Sequence, residues 1–457
     1  MKIKSLLVLT ALTGALACAW QTRASDITAT GSGNWSSTVP DAPWPGGVIP
    51  GTNDSVDVES PFTVTVDGAQ TIGYIYGGGT VTMAPNSTLT VLGDNLGAYG
   101  TQDLQTLNAT AAGSTVIYMG NVFWAKRTDY FNLVFLNITT NAYDFYNGNI
   151  PGYGAQPMSI GGNLTLSGKV KVQQGADFTV GGNLWLGTNS SWDCSSFNLT
   201  VSSNTLVDGL LLDLDGALGV NYFGGSVTIS SLAIGWNISD VIQWSLGGSL
   251  TNNGNIVGKG YGSISFDGSG VIAGTKTIKI PTMSVSGTYT IANSITLITN
   301  TPTLSGTLIF DLARTNQITL LTNAGTALFY SGNLTVVNSG GAVTPGTTYK
   351  LFNAPSYDGA FDSITYPAGA SFTDNLLTSG SIVSAGIAPP PVLNFTRNGN
   401  NLILSWDSTT YPGYSVKGQT NGLASNGWSP TGSGTVSPWT NTINPANAAV
   451  FYRLSKP

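Results

Sequence analysis

The sequence has 457 residues, 8% of them charged, a formal charge of −6 and no histidine. The missing imidazoles exclude Ser-His-Asp and Cys-His catalysis and histidine metal sites. The acidic balance argues against nucleic acid and anionic membrane as partners, since both call for basic patches.

The chain opens MKIKSLLVLTALTGALACA. Lys2 and Lys4 form a basic n-region, Leu6 to Ala17 an apolar h-region, and small residues follow, so residues 1–24 are expected to be a secretory signal peptide. Ala17-x-Ala19 and Thr22-x-Ala24 both offer cleavage sites, and Ala15-Leu16-Ala17 is a poor lipobox for Cys18. Cleavage after Ala24 removes Lys2, Lys4 and Arg23 and takes the charge from −6 to −9. Cys194 is then the sole cysteine, so no intramolecular disulfide is expected and the thiol is expected in the core. No apolar run after the leader reaches membrane-spanning length, so no integral membrane segment is expected in the mature chain.

Residues 25–60 are rich in Pro and Gly, with Trp35 and Trp44 between turns. A stack of strands has an open edge at each end, and this segment is expected to cap the first one. From 61 to 387 short alternating strands follow one another (FTVTVDG, STLTVLG, YFNLVFLN, NLTLSGKVKV, FNLTVSS, GSISFDGSG), with Gly, Asn and Asp in the turns. No segment carries sustained helical periodicity with caps. A phrase recurs: GGNLTL at Gly161–Leu166, GGNLWL at Gly181–Leu186, GGSVTI from Gly224, GGSLTN from Gly247 and SGNLTV from Ser331. The first intervals are 20, 43 and 23 residues, so the middle one reads as two periods with a degenerate copy between. The fold class expected is therefore all-β: a parallel β-helix or β-solenoid, expected to be right-handed, one coil per period. Residues 388–392, with three consecutive prolines, form a stiff linker. Residues 393–457 hold alternating strands at Leu402–Trp406, Tyr414–Gln419 and Val450–Leu454 and read as a small β-sandwich with Trp406 in its core.

No phosphate-binding loop is present, since Gly77–Gly79 lacks a following Lys-Ser/Thr, and no cofactor, metal site or catalytic set is expected. Asp54, Asp57 and Glu59 form the densest carboxylate group, with Asp57 and Glu59 on one side of a strand; Asp213 and Asp215 also share a face. The first group reads as a solvated edge, because calcium asks for six to eight oxygens and it supplies part of that; the second reads as the polar face of a strand leading to a glycine turn, with a turn or single-ion site as the alternative. The local anomaly is residues 118–153, where ten aromatic residues crowd around the adjacent pair Lys126 and Arg127. Aromatic rings stack on sugars while polar groups take their hydroxyls, so Trp124, Tyr143 and Tyr146, with Lys126 and Arg127, are the candidate ligand-binding residues. The alternative is that these rings are core or pack a loop.

GSTVIYMGN (Gly113–Asn121), YFNLVFLN (Tyr130–Asn137) and the GGNLTLSG that follows resemble passenger regions of bacterial autotransporter-type and filamentous-haemagglutinin-like β-helix proteins. The series GTLIFDLA…GTALFYSGNLTV…GTTYKLF…GAFDSI at 306–364 is similar to repeats in secreted proteins of Verrucomicrobia-type bacteria, and LSW…YSVKGQTNGLASNGWSP…FYRL resembles the immunoglobulin- or fibronectin-III-like tails of such proteins. The resemblance implies a secreted, cell-surface or matrix scaffold or adhesin of a bacterium. The sequence lacks a C-terminal membrane barrel and a terminal Pro-Glu-Pro motif, so self-anchoring is not expected. A polysaccharide or cell-surface component is the expected partner, with end-to-end self-association as a further option. A glycan-binding module and a β-helix polysaccharide lyase or hydrolase are the alternatives.

Overall fold

A computed structural model describes residues 25–93, 104–119, 125–138, 142–148, 154–212, 219–239, 243–292, 295–313, 317–320, 327–340, 343–387, 391–409, 411–420, 427–447 and 449–456. The expected signal peptide, Trp124, Asp213 and Asp215 lie outside these residues. The chain is 53% strand and 2% helix, and it divides into two units, Met1–Ala385 and Gly386–Pro457. Among the described residues no helix is long and apolar enough to cross a membrane.

The first unit is a β-solenoid. One coil contains the strands Leu164–Gly168, Val170–Gln173 and Phe178–Val180, and the next contains Leu184–Leu186, Ser191–Asp193 and Leu199–Val201. Each strand pairs in parallel with its equivalent one coil away, so that Leu164, Leu184, Thr205, Val227, Leu250 and Ile272 lie in one file. Stacking generates a parallel sheet of 14 strands and a second one of 16. Alternation does the sorting: in Leu184–Leu186 the leucines point inward and are buried, while Trp185 points outward. Further along, two sides of the coil merge into the single strand Ile278–Val285, whose first half pairs with Ile256–Gly258 and whose second half pairs with Ser263–Phe266. Pro281 sits between the halves, where the ladder changes partner and a missing N–H is tolerated.

The recurring phrase marks one corner of the coil. Its asparagine accepts, through Oδ1, the backbone N–H of the equivalent residue one coil on. Asn163 donates to Asn132 at 2.8 Å, Asn183 to Asn163 at 2.9 Å, Asn204 to Asn183 at 3.1 Å and Ser226 to Asn204 at 2.9 Å. The last three links span 20, 21 and 22 residues. The degenerate copy is therefore Ser202–Val207, in which serines stand for the glycines and Asn204 keeps the ladder. The glycines are there because adjacent coils touch backbone to backbone. A Cβ on Gly182 would lie 2.5 Å from the Gly162 carbonyl oxygen, and one on Gly268 would lie 2.1 Å from that of Gly247.

A single apolar core runs from Ala29 to Ile382. Aromatic rings fill it at intervals: Phe178 meets Trp192 edge-on at 4.9 Å, and Phe223, Trp236 and Trp244 form a closed cluster. Cys194 is fully buried there. The leading segment is more than a lid, because Asp26–Thr28 and Gly33–Asn34 already pair in parallel with Ser55–Asp57 and Thr63–Val66. Trp35 and Trp44, both 0% exposed, cross at 4.9 Å, and Trp44 donates its indole N–H to the Trp35 carbonyl at 2.7 Å. The other end changes hand of pairing. Thr348–Lys350, Ser381–Ile387 and Ala370–Asn375 form a three-stranded sheet in which Thr348–Lys350 runs antiparallel to Ser381–Ile387, and the short helix Leu376–Ser379 follows Ala370–Asn375 in the chain.

The second unit has two three-stranded antiparallel sheets. One contains Asn394–Asn398, Asn401–Ser405 and Trp439–Thr442; the other contains Ser429–Pro430, Ser415–Gln419 and Phe451–Ser455. Its core is small, with Leu404, Trp406 and Val416 buried.

Candidate functional site

Among the described residues of 118–153, four of the aromatic side chains belong to the core. Tyr118, Tyr130, Phe135 and Phe145 are buried. The Tyr118 and Tyr130 hydroxyls are 3.0 Å apart, and burial, reinforced by Tyr118, pushes the Tyr130 phenol well above its usual 10.0. Lys126 donates from Nζ to the Leu104 carbonyl at 2.6 Å. Arg127 is 7% exposed and donates from Nη1 to the Gly148 carbonyl at 2.5 Å. Tyr146 is half-buried, with its ring against Gly148 and Gly175; a Cβ on Gly175 would lie 2.5 Å from Tyr146 Cε2. The structure thus brings Arg127 and Tyr146 together around Gly148, with the basic pair turned toward backbone carbonyls. Tyr143 begins the strand Tyr143–Tyr146, in register with Val170, while Trp124 and Tyr153 lie outside the described residues.

Asp57 is half-buried at the first coils, with its carboxylate Oδ1 buried against Gly77. Register places Thr28, Asp57 and Tyr76 in one row and Asp26, Ser55 and Tyr74 in the adjacent row. Asp54 belongs to a turn, where it accepts the Gly51 N–H at 2.6 Å. Among the described residues no three carboxylate, thiol or imidazole groups are placed to hold a metal ion. Partial burial raises the Asp57 carboxyl above its usual 3.8, and Glu59, by charge and hydrogen bond, and Asp26 add to the rise. Folding therefore takes up a proton at this site. Its ionisation penalises the folded state above the raised pKa, and the penalty vanishes below the unfolded value. Asp57→Asn is expected to raise the melting temperature at pH 7 and to have no effect at about pH 3. A variant that melts lower than the parent at pH 7 would contradict this reading.

Asp267 shows the opposite behaviour. Burial works against its charge, but hydroxyls of Ser245, Ser265 and Ser286 donate to it and hold its carboxyl below the usual 3.8. These serines lie on successive coils, so the carboxylate ties three turns together.

The outer face of the 14-stranded sheet carries the feature that sequence reasoning missed. Its outward file reads Thr71, Thr90, Ile117, Val134, Thr165, Trp185, Leu206, Thr228, Thr251 and Ala273, strand by strand. None of these is charged, and all are half-buried. At a strand spacing of about 4.8 Å the file is about 45 Å long. Trp185 is the single aromatic residue in it. Its indole N–H donates to Asp208 Oδ2 at 2.8 Å, which pins the ring. The signal was present in the repeat: the fifth position is Thr in GGNLTL, GGSVTI and GGSLTN but Trp in GGNLWL. The larger residue reads as one more outward position until the file assembles around it.

No protein-family model, no curated protein and no solved structure matches this chain.

Proposed function

We propose that the chain is a secreted, non-enzymatic β-solenoid that acts as a cell-surface or extracellular-matrix scaffold with an adhesive role. The observation that carries the reading is the corner ladder. Asn side chains link the coils from Asn132 to Ser226, and close glycine backbone contacts continue the bracing to Gly332, over one continuous core. Such a body keeps its outer faces at fixed spacing, which suits display. The aromatic-filled first coil and the closing sheet with its antiparallel pair work against end-to-end templating, which favours a scaffold that remains discrete over one that polymerises. The leader-like opening and the resemblance to passenger-type proteins support secretion by a bacterium.

The test has two arms. The gene is expressed with its own leader in a bacterial host, and the mature chain is sought in the cell-surface and culture fractions. The purified chain is also incubated with neutral and acidic polysaccharides, and new reducing or unsaturated ends are measured. Export without new ends is expected. Release of new ends would replace the scaffold by a polysaccharide-cleaving enzyme, and retention in the cytoplasm would remove the extracellular role.

A further inference from the structure

We propose that the outward file of the 14-stranded sheet is a binding platform for a neutral polysaccharide chain, anchored by the ring of Trp185. The inference rests on the scaffold reading in one respect: the platform works because the coils beneath it are rigid.

Three observations converge. The first is the ring itself. A half-buried indole held by Asp208 at 2.8 Å is already oriented, so little side-chain freedom is lost when a ligand arrives. Aromatic faces stack on the C–H faces of pyranose rings. The second is the neighbourhood. Thr165 and Leu206 flank Trp185 on the adjacent strands, and Thr228 and Thr251 continue the file. Hydroxyls and apolar groups are interspersed along it, which matches a sugar polymer with hydroxyl edges and apolar faces. The third is charge. The file has no charged member, the protein is acidic, and the carboxylate nearest the ring belongs to Asp208. A polyanion would be repelled by that carboxylate and would find no cation in the file; a neutral polymer meets neither obstacle. A file about 45 Å long suits an extended chain better than a small sugar.

The repeat supplies a variant with a safe outcome for folding. Trp185→Thr installs the residue found at the same position of the preceding coil, Thr165, and of the later coils at Thr228 and Thr251. The experiment is co-sedimentation of the mature chain with microcrystalline cellulose and with insoluble β-1,3-glucan, with soluble alginate as the acidic competitor. Binding to a neutral polymer is expected, unaffected by salt and by alginate, and about tenfold or more weaker in Trp185→Thr. Trp185→Phe should retain most of the binding and Trp185→Leu should lose it, at equal melting temperatures. Absence of binding by the parent chain to either neutral polymer would overturn the platform and leave the scaffold reading standing. So would equal binding by the Leu and Phe variants, displacement by alginate, or a Trp185→Thr effect confined to self-association in sedimentation velocity. Cleavage of the polymer would instead overturn the scaffold reading.

Discussion

Replacing Gly287 by alanine is expected to destabilise the solenoid by about 3 kcal/mol, the upper part of the range for overpacked sites. The would-be Cβ lies 1.9 Å from the Gly268 carbonyl oxygen and 2.8 Å from the carbonyl carbons of Gly268 and Asp267. These are backbone atoms, which cannot rotate aside as a side chain would. The Thr288 N–H also donates to that same carbonyl at 2.8 Å, so relief of the clash breaks a coil-to-coil hydrogen bond. Gly287 belongs to a file of Gly247, Gly268, Gly287, Gly306 and Gly332, in which a Cβ on any of the last four would fall between 1.9 and 2.3 Å from the preceding carbonyl oxygen. Gly154→Ala is the control, because nothing lies within 4 Å of its Cβ. Long stacked arrays do not unfold in one step, so hydrogen exchange is the measurement of choice. The Gly287 variant should lose protection first in Ser263–Phe266 and Thr288–Ile291, while the Gly154 variant matches the parent. Equal protection in both variants would show that the coils separate easily, contrary to the ladder.

Truncation of Trp244 to alanine is expected to cost about 4 kcal/mol. The ring is 0% exposed, stacks on Phe223 at 5.4 Å and 15°, and meets Trp236 edge-on at 4.9 Å and 82°. Its removal takes one contact from each of two large rings, which still meet each other at 6.0 Å, and leaves a cavity that rigid coils cannot collapse. Trp244→Phe should cost much less. The Nε1 of Trp244, like that of Trp236, has no hydrogen-bond partner, so the change to Phe also deletes a buried donor that the fold leaves unmatched. The check is the opening free energy read by hydrogen exchange in Gln243–Leu246 and in its neighbours Val220–Phe223 and Ser263–Phe266. An alanine variant within 1 kcal/mol of the parent would mean that this part of the core repacks freely.

The all-β class, the repeat and the tail were legible because they rest on local rules. Alternation at Leu164–Leu166 and Leu184–Leu186 determines which side chains face inward, and the glycine pairs mark the corners. Even the missing period could be inferred before Ser202–Val207 was seen to fill it. The aromatic crowd at 118–153 was less transparent. Composition shows how many rings are near one another in the chain, but burial depends on which coil lies above and below. Phe145 meets Phe135 at 4.9 Å in the interior, and Arg127 reaches a carbonyl 21 residues away, and neither is implied by spacing alone.

The chain's periodicity was sufficient to determine a stack of β coils, because inward and outward sides follow from a two-residue alternation that each strand carries within itself. What the outer surface presents was decided only when the coils stacked. Trp185 acquires Thr165 and Leu206 as neighbours, and Asp208 as an anchor 23 residues on, through coil-to-coil register. Asp267 likewise gathers hydroxyls from Ser245 and Ser286 on adjoining turns. Stacking brings residues about one period apart to within hydrogen-bonding distance, so the sites of a solenoid lie across its sequence rather than along it.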